Sequence, residues 1–476
     1  MASINKESVR SEVSRIKLDF EALCSRNLVS AEVKLLMSSM LMVIDLILAV
    51  FLEKLTSKTS ANSSIPPSKS DKDNSALSQG SQGNGPPEEP PAHTRTRETV
   101  QISHVSFCDA CGEDLTQEPC VAHQRRTTID IVFEKVVTHV DAQLKQCPCC
   151  NKQVMGTFPE NMPSPLQYGL GLKAFAINLM LGQMVAIGRV QKLINAMIGE
   201  MLSAATLLKF VWRLHQALEG WEQQAKAQLL ASSVLHVDET SLRVDKRNYW
   251  IHVYSSGPIT LKFLHSKRGK EAIEKIAIIP NYGGTIIHDC WASYLSYGYC
   301  GHGLCGAHLV RELRFIIDAH DYPWARAMKR LLQETCAKVS DRAEKCLNER
   351  EYTNLQKRYR NILTRGAKQM PPIEPRTPGQ RGKLAKSDAH NLWERLKKHE
   401  KAVLLFAANA QVPFTNNRGE RDLRMAKVKQ KVSGCFRTVQ YAEAYCRISS
   451  YLQSMASKGH NPLVAIQMAL SGDIQP

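Results

Sequence analysis

Three acidic residues stand where a divalent-metal site would need them. Asp238 follows the apolar start of VLHVDET, Asp289 follows that of TIIHDCWASY, and Glu420 sits among the bases of TNNRGERDLRMAKVKQKVSGCFR (Thr415–Arg437). Cleaving or transferring a phosphodiester needs an in-line nucleophile, water or a DNA 3′-hydroxyl. Two hard cations about 3.5–4 Å apart can stabilise the attacking and leaving oxygens. Mg²⁺ (or Mn²⁺) keeps several of its waters, so acids from separate segments suffice to hold it. Asp238 is expected to bridge both ions, Asp289 to hold one and Glu420 the other. Each acid alone also has an ordinary reading: the aspartates cap turns after strands, and Glu420 pairs with Arg424 at i,i+4. Glu239 faces the other side of a strand from Asp238, and Asp422 points away from Glu420 on a helix. Both are expected to back the site or to be solvated.

After Glu420, the bases Arg424, Lys427 and Lys431 fall on one helical side at steps of three and four. Such a stripe suits DNA phosphates or a leaving strand, or else forms a solvated face. Asn416 and Asn417 are expected to cap this helix, and Asn417 to reach a phosphate. Shortly after Asp289 comes Cys305-Gly-Ala-His308-Leu-Val-Arg311, with His308 and Arg311 on one helical face. In one reading His308 orients a water or phosphate near the metals and Arg311 contacts the phosphate. In the other His308 is hydrogen-bonded within the core. No partner ligands for a second metal site are evident there.

Cys108-Asp-Ala-Cys111 and Cys147-Pro-Cys149-Cys150 form a separate unit. Paired x₂ spacings present four thiolates, Cys108, Cys111, Cys147 and Cys150, to a structural Zn²⁺ with no open coordination position. Cys120 and Cys149 are spare.

The elements around these residues describe a multidomain α/β protein. Strands are expected at Ser233–Asp238, Tyr249–Tyr254, Thr260–Leu264 and Gly284–Asp289, and a fifth near Leu304. Helices are expected at Glu271–Ile278 and His308–Ala319. Both aspartates then end strands, and if those strands are neighbours their carboxylates meet at one sheet edge. The domain plan runs as follows: 1–55 helical, 56–100 a flexible linker, and 101–160 the zinc unit. Residues 161–230 are helical, 231–320 hold the first part of the core, 321–405 form a helical insertion, and 406–476 carry Glu420 and the closing helices. The insertion is broken by Pro371, Pro372, Pro375 and Pro378. Arg189–Trp212 reads as two helices around a turn at Ile198–Gly199, the second capped at Ser203. This fits a helix-turn-helix and an ordinary helical hairpin alike.

The net charge of +17, from 62 Lys+Arg against 45 Asp+Glu, favours a polyanionic partner such as DNA. The N-terminus lacks a basic stretch followed by an apolar one, so no signal peptide is read and a cytoplasmic location is expected. Leu35–Leu52 approaches membrane-span length. Its central Asp45 and the spacing of Val33, Met37, Met40, Ile44, Ile47 and Phe51 instead fit a self-associating helix. A homo-oligomer with no membrane partner is expected.

HVDET, IIHDCWASY, LCGAHLVREL and TNNRGERDLRMAKVKQKVSGCFRT together resemble the catalytic-core motifs of the insertion sequence 66 family of bacterial transposases. The cysteine unit resembles that family's zinc-binding region, and the N-terminal seam its leucine-zipper-like segment. The resemblance implies an RNase H-like core with Asp238, Asp289 and Glu420 as a DDE triad. It also implies binding to terminal inverted repeats, 3′-end cleavage and strand transfer into target DNA. Glu420 and Lys427 fit the E-x₆-K pattern of related transposases, which makes Lys427 a DNA contact, and companion proteins from the same element are expected partners. One departure is CPCCN in place of the commoner CPxCG, and Asn can adopt the left-handed turn required there. Two other functions remain compatible: a catalytically silent, zinc-containing DNA-binding regulator, and an RNase H-like nuclease without strand transfer.

Overall fold

The computed structural model describes residues 6–26, 29–55, 99–372 and 386–474. The linker expected over 56–100 falls outside these except for its last two residues. So do Pro375, Pro378 and the side chain of Phe51. In chain order the helices and strands begin with α1 (Lys6–Ser25), α2 (Ala31–Leu55), β1 (Leu144–Gln146), β2 (Gln153–Met155), α3 (Leu170–Ile177), α4 (Ile187–Ile198), α5 (Ala204–Ala217) and α6 (Glu219–Leu230). Then follow β3 (Val234–Val244), β4 (Arg247–Ser256), β5 (Ile259–His265), α7 (Lys270–Ile276), β6 (Thr285–His288), α8 (Ala292–Leu295), β7 (Gly301–Leu304) and α9 (Gly306–His320). The chain closes with α10 (Pro323–Ser340), α11 (Glu349–Gln369), α12 (Asp388–Lys398), α13 (Glu400–Ala408), α14 (Asn417–Ser433), α15 (Val439–Ser457) and α16 (Pro462–Ser471).

Two compact units emerge. The larger takes in α1, α2 and Gly220–Ser454, and the smaller the described residues up to Glu219 and those from Met455 on. In the smaller unit, β1 and β2 pair as an antiparallel hairpin around the second cysteine turn. A π-helical turn over Asn178–Gly182 extends α3, and α16 packs on α3 and α5. The two-helix reading of Arg189–Trp212 holds: α4 ends at Gly199, and the Ser203 hydroxyl accepts the Thr206 N–H to cap α5.

The larger unit is built on a five-stranded mixed sheet in the order β5-β4-β3-β6-β7. β3, β4 and β5 are antiparallel, whereas β6 runs parallel to β3 and β7 parallel to β6. Asp245 and Lys246, at φ 45° and 61°, make the two-residue link between β3 and β4. Positive φ at both positions marks the primed turn whose twist matches the strands it joins. The sequence placed Asp238 at a strand end. In the structure β3 runs on to Val244 and Asp238 lies inside it; only the pairing with β6 stops near there, at His236. The expected helical insertion appears as α10–α13, whose Trp324, Leu331, Tyr359, Leu363, Leu392 and Leu404 join a core with Leu309, Leu313 and Ile316 of α9.

α2 is one continuous helix whose Asp45 pairs with Lys17 of α1 at 2.5 Å. No helix among the described residues is long and apolar enough to cross a membrane. Of the seam positions, Val33, Met40, Ile44 and Ile47 are exposed on the single chain.

Candidate active site

β3 supplies the first carboxylate and the residue after β6 the second. The parallel ladder pairs Val234 with Thr285, Leu235 with Ile286 and His236 with Ile287. Carried on by two residues, past the end of the pairing, the same register would bring Asp238 level with Asp289. Immediately after Asp289, Cys290 takes φ 72°, a left-handed turn unusual for a residue with a Cβ. The Asp289 Oδ1 accepts the Trp291 N–H at 3.1 Å, which fixes this turn. Burial raises the Asp238 carboxyl well above the usual carboxylate range, and the charges of Glu239, Asp289 and Glu420 push it the same way. Both other acids of the sequence motif are therefore within electrostatic reach of Asp238.

The third carboxylate arrives on α14, which is held to β3 at both ends. At its start the Asn416 amide donates to the Val237 carbonyl at 2.8 Å, while its Oδ1 lies 2.8 Å from His236 Nδ1. The Asn416 N–H also reaches Cys305 Sγ at 3.1 Å. Asn416 does occupy the cap position, but its side chain makes no cap hydrogen bond, contrary to expectation. It has been drawn instead to distant partners on β3, donating to the Val237 carbonyl and accepting from His236. Past the far end of α14, Phe436 exchanges backbone hydrogen bonds with Arg243 and Asp245, both 2.9 Å. Between these clamps the buried Asp422 accepts the Ser255 and Thr260 hydroxyls at 2.6 and 3.0 Å. Asp422 is thus an anchor for the helix and is not solvated. Glu239 is likewise buried, bonded to Arg268 at 2.7 Å and to the Tyr294 hydroxyl at 2.5 Å. Arg268 in turn lies over Trp250 and Trp291, its guanidinium carbon 5.1 and 4.4 Å from the ring centroids.

Glu420 faces the first turns of α9. Its Oε1 lies 3.5 Å from His308 Nδ1 and 3.6 Å from an Arg311 guanidinium nitrogen. His308 is largely buried, and its Nδ1 faces Glu420 without a hydrogen-bond partner. Cys305 joins this group: the ligand atoms of Cys305, His308 and Glu420 all lie within 4.8 Å of one another. The sequence offered no partner for a metal at Cys305 and His308 because the third donor comes from a distant helix. The i,i+3 spacing of Cys305 and His308 was the available signal. Asn417, Arg424, Lys427 and Lys431 are all exposed on α14 and share its i, i+3, i+4 stripe with Glu420.

A model of the transposase IS66 family matches residues 166–444, more than half of the chain. This protein belongs to the transposase IS66 family. No curated protein matches the chain. Membership in a transposase family implies DNA as a partner and divalent metal as a cofactor. The matched span contains the three carboxylates, the cluster at Cys305, the insertion helices and α4 and α5.

The cysteine unit lies upstream of the match. Its two turns share one form: Gly112 N–H bonds to the Cys108 carbonyl, and Asn151 N–H to the Cys147 carbonyl, each at 2.9 Å. Gly112 has φ 80° and Asn151 φ 58°, so Asn does adopt the left-handed conformation at the departure from CPxCG. Backbone hydrogen bonds from Ala110 and Cys111 lower the Cys108 thiol pKa, and those from Cys150 and Cys149 lower that of Cys147.

Proposed function

We propose that this IS66-family transposase binds the terminal inverted repeats of its element, cleaves their 3′ ends and joins them to target DNA, with Asp238, Asp289 and Glu420 as its acidic triad. The observation that supports the proposal is the register of β3 on β6 together with α14 fastened along β3, with the charges of Asp289 and Glu420 both acting on Asp238. The mixed sheet, three antiparallel strands followed by two parallel ones, supports the RNase H-like reading.

The donor set fits a hard divalent ion. It is all oxygen, and the buried Glu420 Oε1 has no hydrogen-bond partner. Asp238 and Asp289 would hold one Mg²⁺ (or Mn²⁺), and Asp238 and Glu420 the other. When bound, such ions activate the attacking oxygen and neutralise the leaving one. The chain's own part is to hold the carboxylates apart from competing partners. Asn416 and Asp422 fix α14, and Glu239 is kept occupied by Arg268 and Tyr294. Arg311 and His308 would orient a phosphate beside Glu420, while Asn417, Arg424, Lys427 and Lys431 would follow the strand away from it. The two cysteine turns would share one structural Zn²⁺, for which the backbone N–H groups that lower the Cys108 and Cys147 pKa values make them suited.

The test is to incubate the purified protein with a duplex carrying the element's end, plus Mg²⁺ or Mn²⁺, and to map the cuts. Metal-dependent nicking at the end, absent in Asp238→Ala, is the expected result. Tight binding by the wild type without cutting, even with the element's companion proteins added, would point instead to the silent regulator. Cutting without joining to target would point to the nuclease.

A further inference from the structure

A second donor set shares Glu420 with the triad, and its chemistry is different. Cys305 ends the link from β7, His308 lies in the first turn of α9, and Glu420 lies in the first turn of α14. The sulfur, imidazole and carboxylate ligand atoms fall within 4.8 Å of one another. His308 Nδ1 and Glu420 Oε1 are both buried, have no hydrogen-bond partner and face each other at 3.5 Å. Zinc bonds of about 2.0–2.2 Å to nitrogen and oxygen at tetrahedral angles separate two donors by roughly 3.3–3.5 Å. Two orphaned atoms at that spacing, with a cysteine beside them, have the form of three corners of a zinc tetrahedron.

We propose that Cys305, His308 and Glu420 form a binding site for a soft divalent transition ion, Zn²⁺ above all, separate from the cysteine turns and overlapping the hard-metal triad at Glu420. Thiolate and imidazole select such an ion and are poor ligands for Mg²⁺. Binding would form the sulfur–zinc bond as the Cys305 proton leaves to solvent. The fourth position is open to water or a phosphate oxygen. Both helix N-termini direct partial positive charge at the sulfur and the carboxylate, against the burial that raises the Cys305 thiol pKa. Arg311 is the cation opposing the ion, and its guanidinium would turn from Glu420 when the site fills. A carboxylate held by zinc is withdrawn from Asp238 and Asp289, so the site acts as an off-switch. That consequence rests on the proposed role of Glu420, whereas the site itself does not.

Cobalt is the probe, since one thiolate bound to Co²⁺ gives a near-ultraviolet charge-transfer band. The full chain, with zinc already on its cysteine turns, is titrated with Co²⁺ in millimolar Mg²⁺. The expected result is a one-thiolate band in the wild type that persists in Asp289→Asn and vanishes in Cys305→Ser. His308→Gln is the second variant, in case Cys305→Ser does not fold. It should weaken Co²⁺ binding beyond the roughly 10–100-fold typical of losing an outer-shell partner. An absent wild-type band, a band surviving Cys305→Ser, or unchanged affinity in His308→Gln would overturn the site. If the site stands and the chain cuts DNA, micromolar Zn²⁺ should suppress cutting in the wild type and not in Cys305→Ser. Equal suppression would overturn the switch alone.

Discussion

Gly419 rests against Asp238. A Cβ on Gly419 would lie 3.1 Å from the Asp238 Cβ and 3.1 Å from the Asn416 side-chain nitrogen. The helix bearing Glu420 therefore approaches the strand bearing Asp238 more closely than a side chain at position 419 comfortably allows. Gly419→Ala should push α14 away by a few tenths of an ångström while leaving the fold intact. Misplacing a catalytic group by ~1 Å can cost about 100-fold, so a loss of roughly 3–10-fold in cleavage rate is expected. Single-turnover cleavage beside a DNA-binding titration checks this; a rate equal to wild type would mean that the contact does not set the triad's geometry.

The charge gathered at Asp238 makes a second prediction, on stability. Its pKa is raised in the folded chain by burial first and by neighbouring carboxylates next. Between the ordinary carboxylate range and that raised value, the folded chain holds a proton that the unfolded chain has released. Stability is thus present at low pH and lost as pH climbs through that window. In metal-free protein at pH 7, Asp238→Asn should melt higher by roughly 2–4 °C, equivalent to about 1 kcal/mol for a unit of this size. Millimolar Mg²⁺ should raise the melting temperature of the wild type and not of the variant. A variant that melts lower than wild type and still responds to Mg²⁺ would refute the charge-repulsion account.

The strands and the adjacency of β3 and β6 were legible because alternating β-branched runs and turn residues are local signals. The far half of β3 was not. After Asp238 the polar run Glu239-Thr240-Ser241 reads as an ending, yet Glu239 and Thr240 are buried, with Glu239 neutralised by Arg268 and Tyr294. Asn416 was misread for a similar reason. Local rules make Asn a helix cap, but an acceptor and a donor on β3, far away in sequence, captured its side chain. The cluster at Cys305 could not be completed from local spacing, since its third donor lies on another helix.

Removing zinc should separate the cysteine unit from the sheet. Each turn keeps its own backbone hydrogen bonds, while the surrounding chain has little regular structure beyond the β1–β2 hairpin. Metal binding is expected to supply most of the folding free energy of such a unit. In Cys305→Ser, chelation should release a single zinc per chain and open sites to protease within 101–160, with the melting of the larger unit unchanged. Metal analysis that finds no zinc, or proteolysis indifferent to chelator, would count against a zinc unit.

The stripe on α14 makes the last prediction, because a phosphate contact and a solvated lysine differ in salt dependence more than in affinity. Lys427 is exposed and lies two helical turns beyond Glu420, on the same side as Arg424 and Lys431. A lysine that neutralises a DNA phosphate releases condensed counterions, about one per contact on duplex DNA. Lys427→Ala should therefore weaken binding to end and non-end duplexes alike and reduce the slope of log K against log salt by about 1. A solvated lysine would alter the affinity only slightly and leave the slope as it was. Measuring binding at several salt concentrations separates the two, and an unchanged slope would remove Lys427 from the path of the DNA.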